Sequence, residues 1–344
     1  MKLKIAVLGT EHYHANFWTR ALLQSPDAVV SGVWDTDPAR ASAFAGEHGV
    51  EANADLAGLI SASDAVAICS ATVDHLALVE AAAARGKPVL CEKPLGIDRA
   101  QGEAIAAVVK RAGIRFMQSF PKRFDPANHE IKTLLDRQAL GKVTLCRVRH
   151  GHSHGFTEAF KSAWFVDPAR SGGGTLLDEG VHAADFLRWM FGEPESAFAS
   201  LSSATLGLPV EDTAVATFRY ADGMIAEVTT SWCFAAADTS IEIYGTEGSI
   251  LLSGVDIASR PTRETDFLRV FRRGDGGGSW TASDVVPHFK TGVFHEHVAW
   301  AFVKALKEQS PMPVTIEDGL RAFAIIEAAY RAAASGRVEA IRPS

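Results

Sequence analysis

The sequence predicts an α/β protein of two domains: an N-terminal doubly wound parallel sheet, then an α+β domain with a large, mostly antiparallel, open-faced sheet. Up to about residue 118, short β-branched runs alternate with Ala-rich amphipathic segments, as in βαβ units. Later strand-like runs follow one another, several of them joined by turn sequences such as ADG and GTEG. A chain of 344 residues exceeds the usual size of a single core. We therefore expect one domain over residues 1–119 and another over 120–344.

Each element follows from a local pattern. The strands expected in the first domain are KIAVL, AVVSGVW, AVAIC, PVLC and IRFMQ. Asp37 before Pro38 is typical of a helix N-cap and first turn, and Gly49 ends the same helix. The second domain opens with the helix HEIKTLLDRQAL and ends with a helix that stops at Gly336. Its expected strands are GKVTLCRVRH, SAFASLSS, DTAVATFRY, MIAEVTTSW, SIEIYG, SILLS and FLRVFRR.

Composition excludes several classes of function. A net charge of −7 without blocks of like charge argues against a nucleic-acid groove, so small-molecule partners fit better. No run approaches the roughly 18–20 apolar residues of a membrane span, and the N-terminal apolar run is too short for a signal sequence. Cys69, Cys91, Cys146 and Cys233 lack metal-binding spacing and are expected to be buried free thiols. We expect a cytoplasmic protein.

The first candidate site is the loop in LKIAVLGTEHYHANFW, where a strand ends at Gly9 and a helical run follows. A dinucleotide site needs backbone N–H groups and a helix N-terminus near the pyrophosphate, and Gly9 permits the turn. Asp35, which ends the second strand, is placed to accept hydrogen bonds from a ribose diol. Glu11 and His14 stand where further small residues are usual. Taken alone, the loop is equally consistent with an ordinary βα connection.

The second candidate is Lys93 in VLCEKPLG, which directly follows a predicted strand. Side chains at the carboxyl ends of strands in a doubly wound sheet face the ligand crevice. A lysine there is able to hydrogen-bond a substrate hydroxyl and to stabilise developing alkoxide charge. The alternative is a surface lysine in a loop, which is the more common situation.

The third candidate is GGGTLLDEGVHAADFL, in which Asp178 and His182 are four residues apart. On a helix they share one face, so the carboxylate is able to orient the imidazole. Histidine titrates near neutral pH and suits the removal of a hydroxyl proton during hydride loss. The alternative is a helix N-terminal acid beside an unrelated histidine. The three glycines favour function, because they mark a helix start that another backbone or a ligand approaches closely.

Together these segments resemble one family. KIAVLG, VWDTDPARASAFA, ICSATVDHLALVEAAAARGKPVLCEKPLG, MQSFPKRFDPA, WFVDPARSGGGTLLDEGVHAADFLRWMFG, IEIYGTEGSI and PVTIEDGLRAFAIIEAA occur in the order typical of the Gfo/Idh/MocA oxidoreductases. This is the family of glucose-fructose oxidoreductase and inositol dehydrogenase. The resemblance implies a Rossmann-type first domain and a second domain whose open sheet often serves oligomerisation. It also implies hydride transfer between a nicotinamide and a sugar, cyclitol or related polyol.

The resemblance further implies roles for individual residues. Lys93 would bind the substrate hydroxyl, Asp178 would orient the imidazole, and His182 would accept the proton. Trp164 and Asp167 would wall the pocket. The residues expected at the cofactor are Gly9, Thr10, Glu11, His12, Asp35, Ser70, Ala71, Thr72, His75, Glu92, Lys93 and Pro94. The residues expected at the substrate are Lys122, Arg123, His152, Trp164, Asp178 and His182.

The chain departs from the family pattern at Glu11 and His14, and at SATVDH, where TPNxxH is more common. We expect the cofactor site to survive, because the downstream residues that would contact a nicotinamide are intact. NAD is favoured over NADP, which stays possible. Asp35 and Asp37 would repel a 2′-phosphate, and no arginine is adjacent to them in the sequence.

Closely spaced histidines raise the question of a metal. They are His12 and His14, then His150, His152 and His154 in RHGHSHG, then His295 and His297 in FHEHV. Alternate residues share one face of a strand. Because no ligand set is complete along the sequence, we expect polar lining of a polyol site and no metal.

Three functions therefore stay open. The leading one is an NAD-dependent dehydrogenase of a sugar-like polyol. The others are a glycosidase that uses bound NAD for transient oxidation, and a sugar- or nucleotide-sensing regulator without turnover. We also expect a homodimer or homotetramer. Helices on one face of a broad sheet leave the other face to be covered. MIAEVTTSW offers an apolar face of Ala226, Val228 and Trp232 and a mixed face of Ile225, Glu227 and Thr229.

Overall fold

The computed structural model describes residues 1–236, 238–274 and 277–342, and these form two compact units. The first unit comprises Met1–Pro121, Ala169–Gly172 and His295–Leu320. The second comprises Lys122–Pro168, Gly173–Phe294 and Arg321–Ser344. The division expected from the sequence, 1–119 and 120–344, assigned the two later segments of the first unit to the second domain. Residues 343 and 344 of that domain lie outside the described residues.

The strands are β1 Leu3–Leu8, β2 Ala28–Trp34, β3 Ala65–Ile68, β4 Val89–Cys91, β5 Phe116–Gln118, β6 Val143–Arg149, β7 Ser196–Ser202, β8 Thr213–Arg219, β9 Ile225–Ser231, β10 Ser240–Gly245, β11 Gly248–Leu252, β12 Leu268–Arg272, β13 Ser279–Ser283 and β14 Glu339–Ala340. The helices are α1 His14–Gln24, α2 Pro38–His48, α3 Leu56–Ala62, α4 His75–Ala83, α5 Arg99–Ala112, α6 Pro126–Asp136, α7 Glu158–Lys161, α8 Pro168–Ser171, α9 Thr175–Asp178, α10 Gly180–Phe191, α11 His288–Thr291, α12 Glu296–Glu308 and α13 Ile316–Ser335.

The first unit contains a parallel sheet in the order β2-β1-β3-β4-β5, which confirms the predicted doubly wound domain. The strand β1 lies between β2 and β3, so Leu8 pairs with both Trp34 and Ile68. The chain order reverses at this point, and ligands of such sheets bind at the carboxyl ends of the strands here. The strands β3 and β4 are buried throughout, as expected for parallel strands covered on both faces.

Local signals predicted both ends of α2 correctly. Asp37 caps α2 by accepting hydrogen bonds from the Ala39 and Arg40 backbone, and Gly49 ends it at φ 66°. The helix α12 was not predicted from the sequence. It joins the first unit through contacts with α1, including a hydrogen bond of 3.0 Å from Trp300 Nε1 to the Ala21 carbonyl.

The second unit contains a nine-stranded sheet in the order β13-β12-β11-β10-β6-β9-β8-β7-β14. Neighbouring strands are antiparallel except β6 and β9, which are parallel. The predicted apolar face is confirmed, because Ala226, Val228 and Trp232 are fully buried. The helices α9 and α10 pack against β8 and β9. The parallel pairing matters for the site, because it holds the end of β6 beside β9.

Two further expectations concern the chain as a whole. None of the helices in the described ranges is both long enough and apolar enough to span a membrane. The four cysteines are free thiols; Cys69, Cys91 and Cys146 are buried, whereas Cys233 is only half-buried.

Candidate active site

The turn after β1 is built around Gly9. Its φ is 79°, and its N–H donates to the Trp34 carbonyl at 2.7 Å. A Cβ at this position would lie only 2.5 Å from Ser70 Cβ and 2.6 Å from Ser70 Cα. The glycine is therefore required by backbone conformation and by the close approach of the loop after β3.

Asp35 lies at the end of β2 and is buried. Its carboxylate accepts hydrogen bonds from Thr10 N (2.7 Å), Asp37 N (2.9 Å) and Arg40 Nη2 (2.7 Å). Burial alone would raise the pKa of Asp35, but the hydrogen bonds from Arg40, Asp37 and Thr10 lower it to about 2. No arginine is adjacent to Asp35 in the sequence, yet helix α2 carries Arg40 onto it.

Glu11 pairs with two arginines of the first unit. Arg170 donates to it from Nη1 at 2.9 Å and from Nη2 at 2.6 Å, the two-pronged geometry typical of arginine and carboxylate. Arg40 Nη1 lies 3.7 Å from Glu11 Oε1. Arg170 and Arg40 therefore compensate the negative charge of Glu11.

His14 is buried and pairs with Glu92, with His14 Nδ1 2.6 Å from Glu92 Oε1. Its ring packs on that of His295 with centroids 3.6 Å apart. Glu92 also accepts hydrogen bonds from Ser119 Oγ at 3.2 Å and from Lys93 N at 2.6 Å. The bulky residue at the start of α1 is therefore held by the segment that follows β4.

His12 caps the beginning of α1, because its Nδ1 accepts the His14 backbone N–H at 3.1 Å. Burial, followed by the neighbouring His14, lowers the pKa of His12 well below its usual value. The imidazole is therefore neutral at physiological pH and acts as a polar cap.

The loop after β3 places Ser70, Ala71 and Thr72 in the interior beside Gly9, while His75 begins α4. His75 Nδ1 lies 3.3 Å from the Leu95 carbonyl. Burial lowers the pKa of His75 to about 4, so its ring is neutral. The His75 ring thus forms a hydrogen bond with the backbone of the loop that follows β4.

Lys93 is buried, and its peptide bond to the buried Pro94 is cis. This buried lysine, the second residue after β4, differs from the surface lysine that was the alternative for this position. Gly9 and Thr10 follow β1, Asp35 follows β2, and Lys93 follows β4, so all four lie at the carboxyl edge of the parallel sheet. The glycine turn, the ionised Asp35 and the start of α1 at this edge fit a dinucleotide.

In the second unit, the glycines before α9 are explained by chain contacts. A Cβ on Gly173 would collide with the Tyr330 hydroxyl, and one on Gly174 with the Glu211 carbonyl. The Glu211 carboxylate accepts hydrogen bonds from Gly174 N at 3.1 Å, Leu176 N at 2.9 Å and the Tyr330 hydroxyl at 2.7 Å. The close approach predicted here is therefore made by protein segments.

The predicted single helix carrying Asp178 and His182 is interrupted at Glu179. Asp178 ends α9, and His182 lies in the first turn of α10. Both side chains are buried, and Asp178 Oδ2 accepts a hydrogen bond of 3.1 Å from Trp232 Nε1. The indole at the end of β9 thus orients the acid, a contact that helical spacing did not indicate.

Glu179 is the residue of this site that sequence reasoning missed. Its carboxylate lies 3.0 Å from His150 Nε2 and 3.3 Å from His152 Nε2, and all three are buried. Burial alone would raise the pKa of Glu179, but the two imidazoles hold it well below its usual value. The ring of His150 lies 5.2 Å from that of His182, centroid to centroid. The alternation HGH after a strand was a signal in the sequence for two histidines on one face. Nothing in the sequence indicated that the Glu179 carboxylate lies between them.

Lys122 and Arg123 have different surroundings. Arg123 forms a paired contact with Asp185 of α10, at 2.9 Å and 2.7 Å. Lys122 is buried and lines a cavity of about 30 Å³ with Asp125 and Asn128. This cavity has room for little more than a water molecule, so it is not itself a sugar site. Burial lowers the pKa of Lys122 to about 8, although Asp125 and Glu179 oppose the shift.

Trp164 and Asp167, the expected walls of the pocket, differ in exposure. Trp164 is buried and stacks on Phe165 with ring centroids 4.0 Å apart. Asp167 is exposed, and its N–H donates to the Trp164 carbonyl at 3.1 Å.

A parallel sheet with a glycine turn and an acid at its carboxyl edge is typical of dinucleotide-binding oxidoreductases. A family model described as an oxidoreductase family with an NAD-binding Rossmann fold matches residues 3–120, and a GFO/IDH/MocA C-terminal domain model matches residues 128–251. The chain belongs to the Gfo/Idh/MocA family of NAD-dependent oxidoreductases.

Named relatives are similar over nearly the whole chain. The 1,5-anhydro-D-fructose reductase of Ensifer adhaerens is 26% identical, with 95% of each chain covered. The inositol 2-dehydrogenase of Rhizobium meliloti (strain 1021) is 26% identical, with 98% of each chain covered. A levoglucosan dehydrogenase solved with NADH and L-sorbose has a TM-score of 0.85 at 22% identity, with 99% of each chain covered. The last comparison supports the fold.

Proposed function

We propose that the protein transfers a hydride between NAD and a hydroxyl carbon of a sugar, cyclitol or related polyol. The observation that carries this proposal is the buried group of His150, His152, Asp178, Glu179 and His182 in the second unit. Closely packed imidazoles and carboxylates offer the hydrogen-bond donors and acceptors that vicinal hydroxyls require. The names of the relatives, which include a sugar reductase and an inositol dehydrogenase, support the same substrate class.

In this reaction the oxidised nicotinamide of NAD would accept the hydride. His182 accepts the hydroxyl proton. Asp178, which accepts a hydrogen bond from Trp232, orients the His182 imidazole. We assign to Lys93 the binding of a substrate hydroxyl and the stabilisation of its developing charge. His152, whose Nε2 faces Glu179 at 3.3 Å, positions that carboxylate beside the substrate. The remaining substrate residues, Lys122, Arg123 and Trp164, shape the walls of the site.

For the cofactor, we propose NAD over NADP. Asp35 is ionised and buried, and Arg40, which would otherwise be available to a 2′-phosphate, is paired with it. Asp37 adds a second negative charge at the same turn. Thr10, next to Gly9, hydrogen-bonds Asp35 and so fixes the acid against the glycine turn.

The test is a screen of polyols, sugars and sugar acids with NAD, followed by the absorbance of NADH. Net NADH production with a free polyol supports the dehydrogenase. Cleavage of a glycoside without net NADH would favour the NAD-using glycosidase instead. Saturable NADH binding without turnover of any compound would favour the sensing regulator.

A further inference from the structure

The cluster around Glu179 contains three histidines, His150, His152 and His182, which is more than a hydroxyl-binding site needs. Its histidines come from the end of β6, where His150 N donates to the Thr229 carbonyl at 3.0 Å and His152 N to the Ser231 carbonyl at 2.8 Å. These bonds continue the parallel pairing with β9 and direct two alternate side chains to the same carboxylate. The imidazole of His182 completes the cluster from the first turn of α10.

We propose that His150, Glu179 and His182 bind a divalent transition-metal ion. One ligand atom of each lies within 4.8 Å of the others, and the three residues are between 1% and 3% exposed. Tetrahedral ligands at about 2.1 Å from a metal lie roughly 3.4 Å apart, so each pair of ligand atoms would have to approach by at most about 1.4 Å. Two imidazoles and one carboxylate suit Zn²⁺, Fe²⁺, Mn²⁺ or Co²⁺ and leave coordination positions open, whereas Mg²⁺ and Ca²⁺ prefer oxygen ligands.

Charge supports the same assignment. The Glu179 carboxylate is buried, and a buried anion is costly unless a cation compensates it. A divalent ion would place two positive charges beside this buried carboxylate.

His152 has a distinct part in the site. Its Nδ1 accepts the His154 backbone N–H at 3.1 Å, so the ring proton lies on Nε2. That Nε2 faces the second oxygen of Glu179 at 3.3 Å. Hydrogen bonds of this kind orient ligating carboxylates, so we assign His152 to the outer shell of the site.

A comparable group in the first unit is less suited to a metal. His12, His14 and Glu92 also have ligand atoms within 4.8 Å of one another. However, Glu92 accepts hydrogen bonds from Ser119 Oγ and Lys93 N, which a metal would have to displace. His12 Nδ1 is engaged as the cap of α1. This group therefore serves as an internal comparison.

The proposed ion goes beyond the dehydrogenase function and does not depend on it. It shares His182 with the proposed proton acceptor, and a hydroxyl bound to a divalent ion loses its proton more readily than a free one. His182 would act as a ligand in the metal-loaded protein and as the proton acceptor in the metal-free protein, so its loss would lower kcat in both. Metal binding is measured without substrate or NAD, so its failure is distinguishable from a failure of hydride transfer.

The experiment uses the full-length protein, stripped with a chelator and dialysed against Co²⁺ or Zn²⁺ alone. We expect one ion per chain by elemental analysis, and visible Co²⁺ absorption bands typical of nitrogen and oxygen ligands. Glu179→Gln and His150→Gln should abolish both signals, and His152→Gln should weaken binding about 10–100-fold. His14→Gln and His129→Gln, an exposed histidine, should bind like the parent.

If a variant fails to fold, the Co²⁺ spectrum of the parent protein still tests whether the ion binds. Absence of stoichiometric Co²⁺ and Zn²⁺ binding by the parent would overturn the proposal. Retained binding in a folded Glu179→Gln variant, or loss in His14→Gln alone, would overturn the assignment to these residues.

Discussion

Glu11 and His14 stand where a standard pyrophosphate loop has small residues, and each has a charged partner of its own. Arg170 takes both oxygens of Glu11, and Glu92 binds the ring of His14. Neither partner is near in sequence. The two departures are therefore compensated inside the first unit, which is why a loop without its usual glycines is compatible with an NAD-binding domain.

Glu11→Gly is expected to leave NADH binding unchanged or to strengthen it. The change removes a negative charge from the cofactor loop and frees Arg170 for an anion. Stability should fall by less than about 1 kcal/mol, because the ion pair is partly exposed. Fluorescence titration with NADH at fixed salt measures the affinity, and Glu11→Gln separates the effect of charge from that of loop freedom. A tenfold loss of affinity in both variants would contradict this prediction.

His182→Ala and Lys93→Ala should each lower kcat by roughly a hundredfold or more, the usual scale for a general base or an electrostatic donor. NADH affinity should change little, because neither residue has been assigned to the pyrophosphate or the ribose. Steady-state kinetics with the best substrate of the screen provide the measurement. His129→Ala and Lys110→Ala, both exposed, are the controls. Near-parental kcat in both His182 and Lys93 variants would refute the roles proposed for them.

Lys122 predicts a dependence of stability on pH. Its pKa of about 8 in the folded state lies below the ordinary 10.5, so the folded protein gives up this proton first. The cost of burying the charge is fully present below pH 8 and disappears as pH rises toward 10.5. Relative to Lys122→Met, the parent should therefore gain stability with pH in this window, by at most about 1.4 kcal/mol per pH unit.

Urea unfolding of both proteins at pH 7 and pH 9.5 tests the Lys122 prediction, with the exposed Lys110→Met as control. A stability difference that does not change between the two pH values would show that the ammonium is not buried at a cost.

At the scale of elements, the β1–α1 turn and the α9–α10 junction determine where the functional side chains lie. The first depends on a positive φ at Gly9 and on contact with Ser70. The second depends on Glu211, which binds the first backbone N–H groups of α9. Each element is therefore positioned by a segment far away in sequence.

Gly9→Ala should destabilise the protein by about 2 kcal/mol or more. A non-glycine residue at this φ costs roughly 1–2 kcal/mol, and the added Cβ would overlap Ser70. NADH binding should weaken because the turn must shift. Urea unfolding and NADH titration measure the two effects. Gly46→Ala is the control, since no atom lies within 4 Å of a Cβ there, and it should be neutral or stabilising. Equal stability of the two variants would contradict the prediction.

At the scale of the whole molecule, the outer face of the nine-stranded sheet suits self-association. Phe198, Ile225 and Trp280 are between 42% and 50% exposed. Arg147 pairs with Glu227 at 3.2 Å and with Glu242 at 3.3 Å on the same sheet. We propose that this mixed face is covered by a second copy of the chain.

Sedimentation should therefore show a dimer or tetramer at micromolar concentration. Ile225→Glu should shift the population toward the monomer, because it places a charge within the apolar part of the face. Leu23→Glu, an exposed leucine of α1, is the control. A single species of 36.8 kDa for the parent would refute the proposal.

The sequence by itself determined the features that depend on neighbours along the chain. Strand periodicity and the turns between the later strands predicted the five strands of the first sheet and β6 to β12 of the second, but not β13 or β14. The Asp37 cap and the Gly49 stop predicted α2, and Gly9 and Asp35 appeared at the ends of their strands. Only the tertiary structure decided the partners: Arg170 for Glu11, Glu92 for His14, Trp232 for Asp178, and the two imidazoles for Glu179. These pairs join residues separated by 27 to 159 positions. Hydrophobic periodicity reports which face of an element is buried, but it carries no information about which distant side chain meets it. Burial then makes each such pairing necessary, because an uncompensated charge inside the protein is costly.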